Sequence, residues 1–178
     1  MSADGGQPAG AVRDLLVACH RDAFAWARHC CRDRSEAEDV LQATYLKVLE
    51  GRAEFGGRAA FRTWLFAVIA RTAAEHRRRR FLRDLLALRW GDERTVRCAD
   101  VIDGADADAE KAQAVARLER ALATLPARQR DVLQLVFHHE LTVADAATVM
   151  AVTIGTARQH YARGKARLRT LLATGEER

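Results

Sequence analysis

The segment from Phe61 to Thr72 constrains the fold of this chain most strongly. Its apolar and small residues recur at positions i, i+3, i+4, i+7, i+8 and i+11, namely Phe61, Trp64, Leu65, Val68, Ile69 and Thr72. Because this spacing places the side chains on one face of a helix, it predicts an amphipathic helix that starts near Ala59. The helix runs directly into four arginines, Arg77 to Arg80. Its aromatic face is either a core face or a surface that stacks on single-stranded nucleic acid, and both interpretations stay open.

Helical periodicity also covers most of the remaining chain. The apolar residues of 12–31 indicate a first helix, and those of 37–49 a second, which Ser35 and Glu38 would open as a capping box. Pro126 suits the first turn of a later helix. The chain has only two prolines, and its β-branched residues never form the alternating runs that strands need. The sequence therefore predicts an all-α fold.

The composition of two segments divides the chain. Residues 1–10 are small, polar and glycine-rich, which predicts a disordered tail. The stretch ADVIDGADADAE carries only acidic charge around a glycine, which predicts a flexible linker. We therefore expect two small helical domains, residues 11–90 and 115–174, joined by an acidic linker over residues 91–114.

The second domain contains a predicted helix-turn-helix motif. Thr142 and Thr153 stand at the expected N-caps of two successive helices, residues 143–150 and 154–172. The periodicity of the second helix turns its polar and basic residues toward solvent: Thr156, Arg158, Gln159, His160, Arg163 and Arg167. Arginine can pair with guanine and glutamine with adenine, while Thr153, Thr156 and the helix N-terminus suit a phosphate. The alternative is a solvated basic face without a ligand.

Composition and motifs argue against several classes of protein. The net charge is only +5, so clusters of basic residues, rather than the sum, would attract a polyanion. Neither a signal peptide nor a membrane span is evident, so we expect a cytoplasmic protein. The chain lacks recognisable catalytic and metal-binding motifs, so we expect neither an enzyme nor a cofactor. The cysteines lack metal-site spacing and are expected to be ordinary buried thiols: Cys19, Cys30, Cys31 and Cys98.

Three acidic residues, Glu36, Glu38 and Asp39, lie in the first turns of the second predicted helix. They suit a docking surface for a basic partner. They are equally explained by the favourable effect of negative charge at a helix N-terminus.

Two segments together resemble the extracytoplasmic-function (ECF) sigma factors. AEDVLQATYLKVLE (Ala37 to Glu50), followed by FRTWLFAVIARTAAEHRRRR (Phe61 to Arg80), is similar to sigma region 2, and residues 122–172 are similar to region 4. The resemblance covers nearly everything except the tail and the linker. It implies an alternative sigma factor, monomeric when free, that directs core RNA polymerase to specific promoters. Such factors are commonly held inactive by an anti-sigma factor.

The resemblance also implies roles for individual residues. The helix matching Ala37 to Glu50 would bind the clamp helices of the polymerase largest subunit through Asp39, Gln42 and Leu46, with the flap as a further polymerase contact of the factor. The loop from Phe55 to Ala59 would capture an unstacked base of the −10 element. The residues implied for −10 DNA are Phe55, Arg58, Thr72, His76, Arg77, Arg79 and Arg80. Those implied for −35 DNA are Thr153, Thr156, Arg158, Gln159, His160 and Arg163.

This chain departs from the family pattern at a few positions. Thr72 and His76 replace a common Asn and Asp, so the −10 base preference does not transfer. Ala151 replaces the usual glycine of the helix-turn-helix turn, which costs about 1 kcal/mol if its φ is positive. Ala43 replaces a common acidic residue.

Two other interpretations stay open at this point. A repressor or activator that uses the helix-turn-helix alone would be a dimer that binds a palindrome without polymerase. A helical adaptor protein would show no salt-dependent association with DNA.

Overall fold

The structure is a computed structural model that describes residues 9–89 and 109–174, and all regular elements in these ranges are helical. The prediction of an all-α fold is confirmed. Most of the predicted tail, most of the predicted linker and Cys98 lie outside the described residues. The helices are α1 (Ala9–Ala18), α2 (His20–Cys30), α3 (Arg34–Leu49), α4 (Phe61–Arg89), α5 (Ala109–Ala123), α6 (Ala127–Leu133), a π-helical turn (Gln134–His138), α7 (Val143–Val149) and α8 (Ile154–Thr174).

The chain divides into two compact units. Unit 1 is Met1–Asp100 and contains α1 to α4, and unit 2 is Val101–Arg178 and contains α5 to α8. The division falls inside the predicted linker. Helix α5 begins at Ala109, ahead of the start expected at Val115, because the residues before Val115 are good helix formers (AEKAQA).

The core of unit 1 forms where α4 packs against α2 and α3. Trp26 is buried, and its indole N–H donates to the Phe66 carbonyl oxygen at 3.1 Å while the two rings stack. Phe61 and Phe66 are buried and Trp64 is half-buried, so the aromatic face of α4 belongs to the core. The single helix expected over residues 12–31 is wrong: a turn at Cys19 separates α1 from α2.

Helix α3 starts earlier than the capping box of Ser35 and Glu38 predicts. The N-cap is Asp33, whose carboxylate accepts the Glu36 N–H at 2.8 Å. Asp33 and Glu36 also have capping-box spacing, and the Glu36 carboxylate turns back to accept the Arg32 N–H at 3.0 Å. Ser35 is exposed within the first turn. The correction places Glu36 at the start of α3, where it can reach α4.

Unit 2 holds α8 against α5, α6 and α7. Pro126 is the N-cap of α6 rather than a first-turn residue. Thr142 accepts the Asp145 N–H at 3.1 Å, and Thr153 accepts the Thr156 N–H at 3.1 Å, so both predicted threonine caps are confirmed. In the turn between α7 and α8, Ala151 has φ of 54°, the left-handed conformation that favours glycine.

Candidate nucleic-acid interface

Helix α3 borders an open apolar groove of about 450 Å³ on unit 1. Two of the three residues predicted to bind polymerase, Gln42 and Leu46, line it, while Asp39 is exposed outside its lining. Leu46 and Leu49 are 47% and 45% exposed, although Leu49 was expected on the apolar side of α3. The remaining lining residues are His20, Phe24, Arg34, Glu38, Leu41 and Tyr45. Half-exposed leucines in a concave surface provide a site for a partner with an apolar ridge.

The loop between α3 and α4 carries two residues predicted to bind −10 DNA. The half-buried Phe55 ring packs against Phe61 and Trp64, with ring centroids 5.4 Å away in both cases. Arg58 is exposed beside Gly57, whose φ of 67° turns the loop. An aromatic ring packed against two other rings, with an exposed arginine three residues further along the same loop, suits the stacking of an unpaired base.

Thr72 does not lie on the surface of α4. It is only 5% exposed, and its hydroxyl accepts a hydrogen bond from Lys47 at 3.2 Å. Lys47 also pairs with Glu75 at 2.7 Å, and this hydrogen bond lowers the pKa of Glu75. The three side chains line a cleft of about 240 Å³ together with Arg52 and Arg71. Thr72 is therefore one wall of a polar cleft that also contains two exposed arginines.

Two further predicted −10 residues, His76 and Arg80, meet the carboxylate of Glu36. His76 Nδ1 lies 3.2 Å from Glu36 Oε1, and Arg80 donates to Glu36 Oε2 at 3.1 Å. Glu36 is 6% exposed. Burial alone raises the pKa of Glu36, but the Arg32 N–H, His76 and Arg80 outweigh it and the net pKa is lowered. We call these three residues the Glu36 network; it ties α3 to α4. The docking surface considered for Glu36, Glu38 and Asp39 is thus wrong for Glu36.

The other arginines of α4 face outward. Arg79 is exposed, and Arg77 is exposed while donating to the Cys30 carbonyl oxygen at 3.0 Å. Arg78 is also exposed. The arginine run therefore serves two purposes, with Arg80 bound inside unit 1 and the preceding three available to a polyanion.

Helix α8 presents its predicted −35 residues to solvent. Arg158, Gln159 and Arg163 are exposed, and His160 is half-buried. At the start of the helix, Thr153 and Thr156 share a hydrogen bond at 2.8 Å. The opposite face is buried through small residues, because Ala157 is fully buried and Gly164 lies against Gln129 and Leu133 of α6. This arrangement leaves the polar side chains of the first turns of α8 exposed on one face, as in a helix that enters the major groove of DNA.

Comparison with known proteins decides the family. Residues 15–81 match Sigma-70 region 2, and residues 121–170 match Sigma-70 region 4. The ECF RNA polymerase sigma factor SigM of Mycobacterium tuberculosis is 31% identical over 153 residues, which span 86% of this chain and 72% of SigM. This chain is an ECF sigma factor. The resemblance noted in the two sequence segments is confirmed, and the chain is an alternative sigma factor.

Other relatives agree with this assignment. The ECF sigma factor SigC of M. tuberculosis is 28% identical over 87% of this chain and 80% of its own length. Among solved structures, sigma factor RpoE from Bartonella quintana, in complex with the anti-sigma factor NepR, matches with a TM-score of 0.66 and 23% identity, covering 92% of this chain and 97% of that chain. CnrH, in complex with the cytosolic domain of CnrY, matches with a TM-score of 0.61 and 21% identity over 97% and 92%. These two structures show a common fold.

Two of the sequence expectations concern metal binding and membrane spans. Within residues 9–89 and 109–174, His, Cys, Asp and Glu do not gather into a group of three that could hold a metal ion. None of the helices in these ranges is long and apolar enough to cross a membrane.

The cysteines of unit 1 are less buried than expected. Cys19, Cys30 and Cys31 are each half-buried rather than fully buried. Burial, followed by the charge of Glu36, raises the pKa of Cys31 to about 12. A thiol with such a pKa is almost entirely protonated at neutral pH, which makes it a weak nucleophile.

Sequence reasoning missed the contacts by which two residues of α3, Lys47 and Glu36, hold α4. Lys47 joins α3 to Thr72 and Glu75, and Glu36 joins α3 to His76 and Arg80. In each case the residues that α3 contacts on α4 lie more than twenty residues away along the chain. The available local signal was the capping-box spacing of Asp33 and Glu36, which would have placed the N-cap of α3 at Asp33 instead of Ser35.

Proposed function

We propose that this sigma factor binds core RNA polymerase through the α3 groove and reads promoter DNA through α4 and α8, without catalysing a reaction itself. It would act in the bacterial cytoplasm, where polymerase and promoters are found. The observation that carries the proposal is the exposed polar face of α8 above a buried face of small residues.

Helix α8 is proposed to read the −35 element as a duplex. Arg158 and Gln159 stand in its second turn, where the N-terminal part of a recognition helix meets base edges. Arginine and glutamine each make two hydrogen bonds to one base in the major groove. Thr153 and Thr156, at the N-terminus, suit a phosphate, with Arg163 and His160 one turn further along the helix.

For the −10 element we propose a division of labour within unit 1. Phe55, Arg58, Arg77 and Arg79 would contact the DNA directly, because their rings and charges reach the surface. Thr72, His76 and Arg80 already have partners inside the unit, so we propose that they hold α4 in position. The −10 preference would then depend on the shape of the polar cleft as well as on direct contacts.

The α3 groove is proposed to receive the clamp helices of the polymerase largest subunit. Leu46 and Leu49 provide exposed apolar area, Gln42 lines the same concave surface, and Asp39 adds negative charge nearby. An amphipathic helix binds such a groove through apolar side chains that enter it and charges at its rim. The flap would be the contact for unit 2.

Regulation by an anti-sigma factor is also proposed. RpoE was solved with the anti-sigma factor NepR, and CnrH with the cytosolic domain of CnrY. The similarity of fold supports, for this sigma factor, an inhibitor that covers polymerase-binding or DNA-binding surfaces.

The −35 proposal is tested by transcription in vitro with purified core polymerase and fragmented genomic DNA of the source bacterium. Transcripts that require both proteins are expected. The double substitution Arg158→Ala and Gln159→Ala should reduce them about tenfold or more, because each two-bond base contact contributes about 1–3 kcal/mol. Arg169→Ala is the matched control, since it removes an exposed arginine further along α8. Equal transcription by the double variant and the wild type would contradict the −35 assignment.

The polymerase contact is tested separately by binding to core polymerase without DNA. Leu46→Glu should weaken binding about tenfold or more, because it places a charge in the apolar groove. Val17→Glu is the control, since Val17 is 76% exposed on α1 and does not line the groove. Similar losses for both variants would refute the groove as the polymerase site.

A further inference from the structure

The last two turns of α4 expose apolar side chains that the fold of unit 1 does not use. Phe81, Leu82, Leu85 and Leu86 are 64%, 58%, 47% and 57% exposed. We call these four residues the α4 stripe. Single exposed apolar residues are ordinary on a protein surface, but four contiguous large ones form a patch that requires an explanation.

The α4 stripe lies C-terminal to Ala73, the last buried residue described in α4, on the side of the helix opposite to Ile69, Ala73 and Arg80. At 3.6 residues per turn, its four residues cluster on one face, while Ile69, Ala73 and Arg80 cluster on the other. Ile69 and Ala73 are buried, and Arg80 is bound to Glu36. The stripe therefore lies where α4 extends past the core of unit 1, in line with Thr63, Trp64 and Val68, which the core covers earlier in the helix.

Positive charge surrounds the α4 stripe. Arg79 and Arg83 follow one of its edges, Arg77 lies along the other beside Asp84, and Arg78 continues the stripe toward the helix N-terminus; all five side chains are exposed. Four arginines against one aspartate give the surface a strong positive potential. Its partner must therefore combine apolar area with negative charge.

The charge distribution selects among the possible occupants. A second copy of this chain would bring the same arginines against one another. Duplex DNA would satisfy the arginines through its phosphates but would leave the apolar residues uncovered. An amphipathic helix with acidic flanks satisfies both requirements, because its apolar residues at i, i+3, i+4 and i+7 match a stripe of two helical turns.

We propose that the α4 stripe is a docking site for an acidic amphipathic helix of another protein. The apolar residues of that helix cover Phe81, Leu82, Leu85 and Leu86, and its carboxylates face Arg79 and Arg83. The site is separate from the α3 groove and does not depend on the proposed polymerase contact.

The probe is a synthetic, fluorescein-labelled helical peptide of three heptads, about 21 residues, with leucine at its a and d positions and glutamate at the flanking e and g positions. A second peptide has lysine in place of every glutamate. Binding to the full chain is measured by fluorescence anisotropy. The acidic peptide should bind the wild type about tenfold or more tightly than the basic peptide, because like charges oppose the latter.

Two double variants assign the contacts. Leu82→Ser with Leu85→Ser should weaken binding of the acidic peptide about tenfold or more, because both leucines lie within the proposed contact. Arg79→Glu with Arg83→Glu should reverse the preference toward the basic peptide. The matched control is Val115→Ser with Leu118→Ser, which removes two exposed apolar residues of α5 in unit 2. All replaced side chains are exposed, so circular dichroism should show unchanged folding.

Three results would overturn the proposal. Equal binding of both peptides, or equal losses in the stripe variant and the α5 control, would show that the stripe has no specificity. Sedimentation that reveals a wild-type dimer, abolished by the leucine substitutions, would assign the stripe to a second copy. Co-sedimentation with phosphatidylglycerol vesicles that the same substitutions abolish, without discrimination between peptides, would assign it to a lipid surface.

Discussion

Helices α4 and α8 are both long and basic, but they differ in where their predicted DNA contacts lie. On α8, Arg158, Gln159 and Arg163 are exposed. On α4, Thr72 is buried, and His76 and Arg80 are held by Glu36. A basic helix is therefore not a uniform surface, since residues of the same types are exposed on α8 and join two helices on α4.

The difference follows from how each helix is packed. Helix α4 packs against α2 and α3, and α3 offers it a buried carboxylate and a lysine. Helix α8 meets α6 through Gly164 and is buried at Ala157, so small residues form its close contact with α6. Polar side chains on the packed side of α4 must find internal partners, because a buried polar group without one is costly.

The largest expected effect comes from breaking the small-residue contact of α8. A Cβ at Gly164 would lie 3.2 Å from Gln129 Cβ and from Leu133 Cδ1. Gly164→Leu should destabilise unit 2 by about 3 kcal/mol, because the overpacked side chain must displace α6. Urea unfolding followed by circular dichroism measures the loss.

Gly155→Ala is the control for that substitution, since a Cβ there meets only Thr153 Oγ1 at 3.9 Å. It should leave stability unchanged or raise it by about 0.5 kcal/mol. Trp26 and Trp64 lie in unit 1, and the sequence of residues 101–178 contains no tryptophan, so tryptophan fluorescence does not report unit 2. An unchanged circular-dichroism midpoint for Gly164→Leu would contradict the close contact between α6 and α8.

The second effect tests the ionic attachment of α4. Glu36→Gln should destabilise unit 1 by about 2 kcal/mol at pH 7, because an amide has one acceptor oxygen instead of two and no charge to strengthen the hydrogen bond from Arg80. Tryptophan fluorescence during urea unfolding measures it. Glu38→Gln is the control: its partner Arg34 is exposed, and the change should cost less than about 0.5 kcal/mol.

The contribution of Glu36 to the stability of unit 1 should also depend on pH. The pKa of Glu36 is lower in the folded state than the value of about 4.3 expected in the unfolded chain. Its contribution is therefore complete above that unfolded value and is lost as the pH falls through the folded pKa. The stability difference between the wild type and Glu36→Gln should shrink between pH 5 and about pH 3. A constant difference over this range would refute the role of the carboxylate charge.

A third effect separates two adjacent arginines of α4. Arg79→Ala should weaken the binding of the polymerase complex to promoter DNA by about 1 kcal/mol and reduce the salt slope of binding by about one. Arg80→Ala should leave that slope unchanged and instead destabilise unit 1 by about 1 kcal/mol, because it removes a partner of Glu36. Salt titrations of promoter binding and tryptophan fluorescence distinguish the two. Equal salt slopes for both variants would erase the proposed difference.

The smallest effect compares helix caps in the two units. Asp33→Ala and Thr142→Ala should each cost about 1 kcal/mol or less, because each removes the acceptor of an N-terminal N–H. Asp33→Ala should lower the urea midpoint followed by tryptophan fluorescence, whereas Thr142→Ala should lower only the midpoint followed by circular dichroism. Ser35→Ala should change stability little, since Asp33 rather than Ser35 caps α3. A larger loss for Ser35→Ala than for Asp33→Ala would restore the original capping assignment.

The sequence predicted α8 better than α4 for a physical reason. Caps, helical spacing and the position of Ala151 are local features, so Thr142, Thr153 and the face of α8 were placed correctly from residues close together in the chain. The partners of Thr72 and His76 are 25 and 40 residues away, and helical periodicity contains no information about which helix a side chain will meet. The predicted helix starts at Ser35 and Val115 were wrong, because several residues near each position could equally begin a helix.

Helix α4 also fixes the distance between its arginines and the α4 stripe. Its 29 residues form one continuous helix, with a rise of about 1.5 Å per residue. Arg79 and Leu85 are therefore separated by about 9 Å along the axis, a distance that the hydrogen-bonded backbone fixes. Any molecule bound at the α4 stripe must share its boundary with whatever occupies the arginines. Because Arg79 is proposed to contact both, promoter DNA and the protein partner would then compete for one arginine as well as for space.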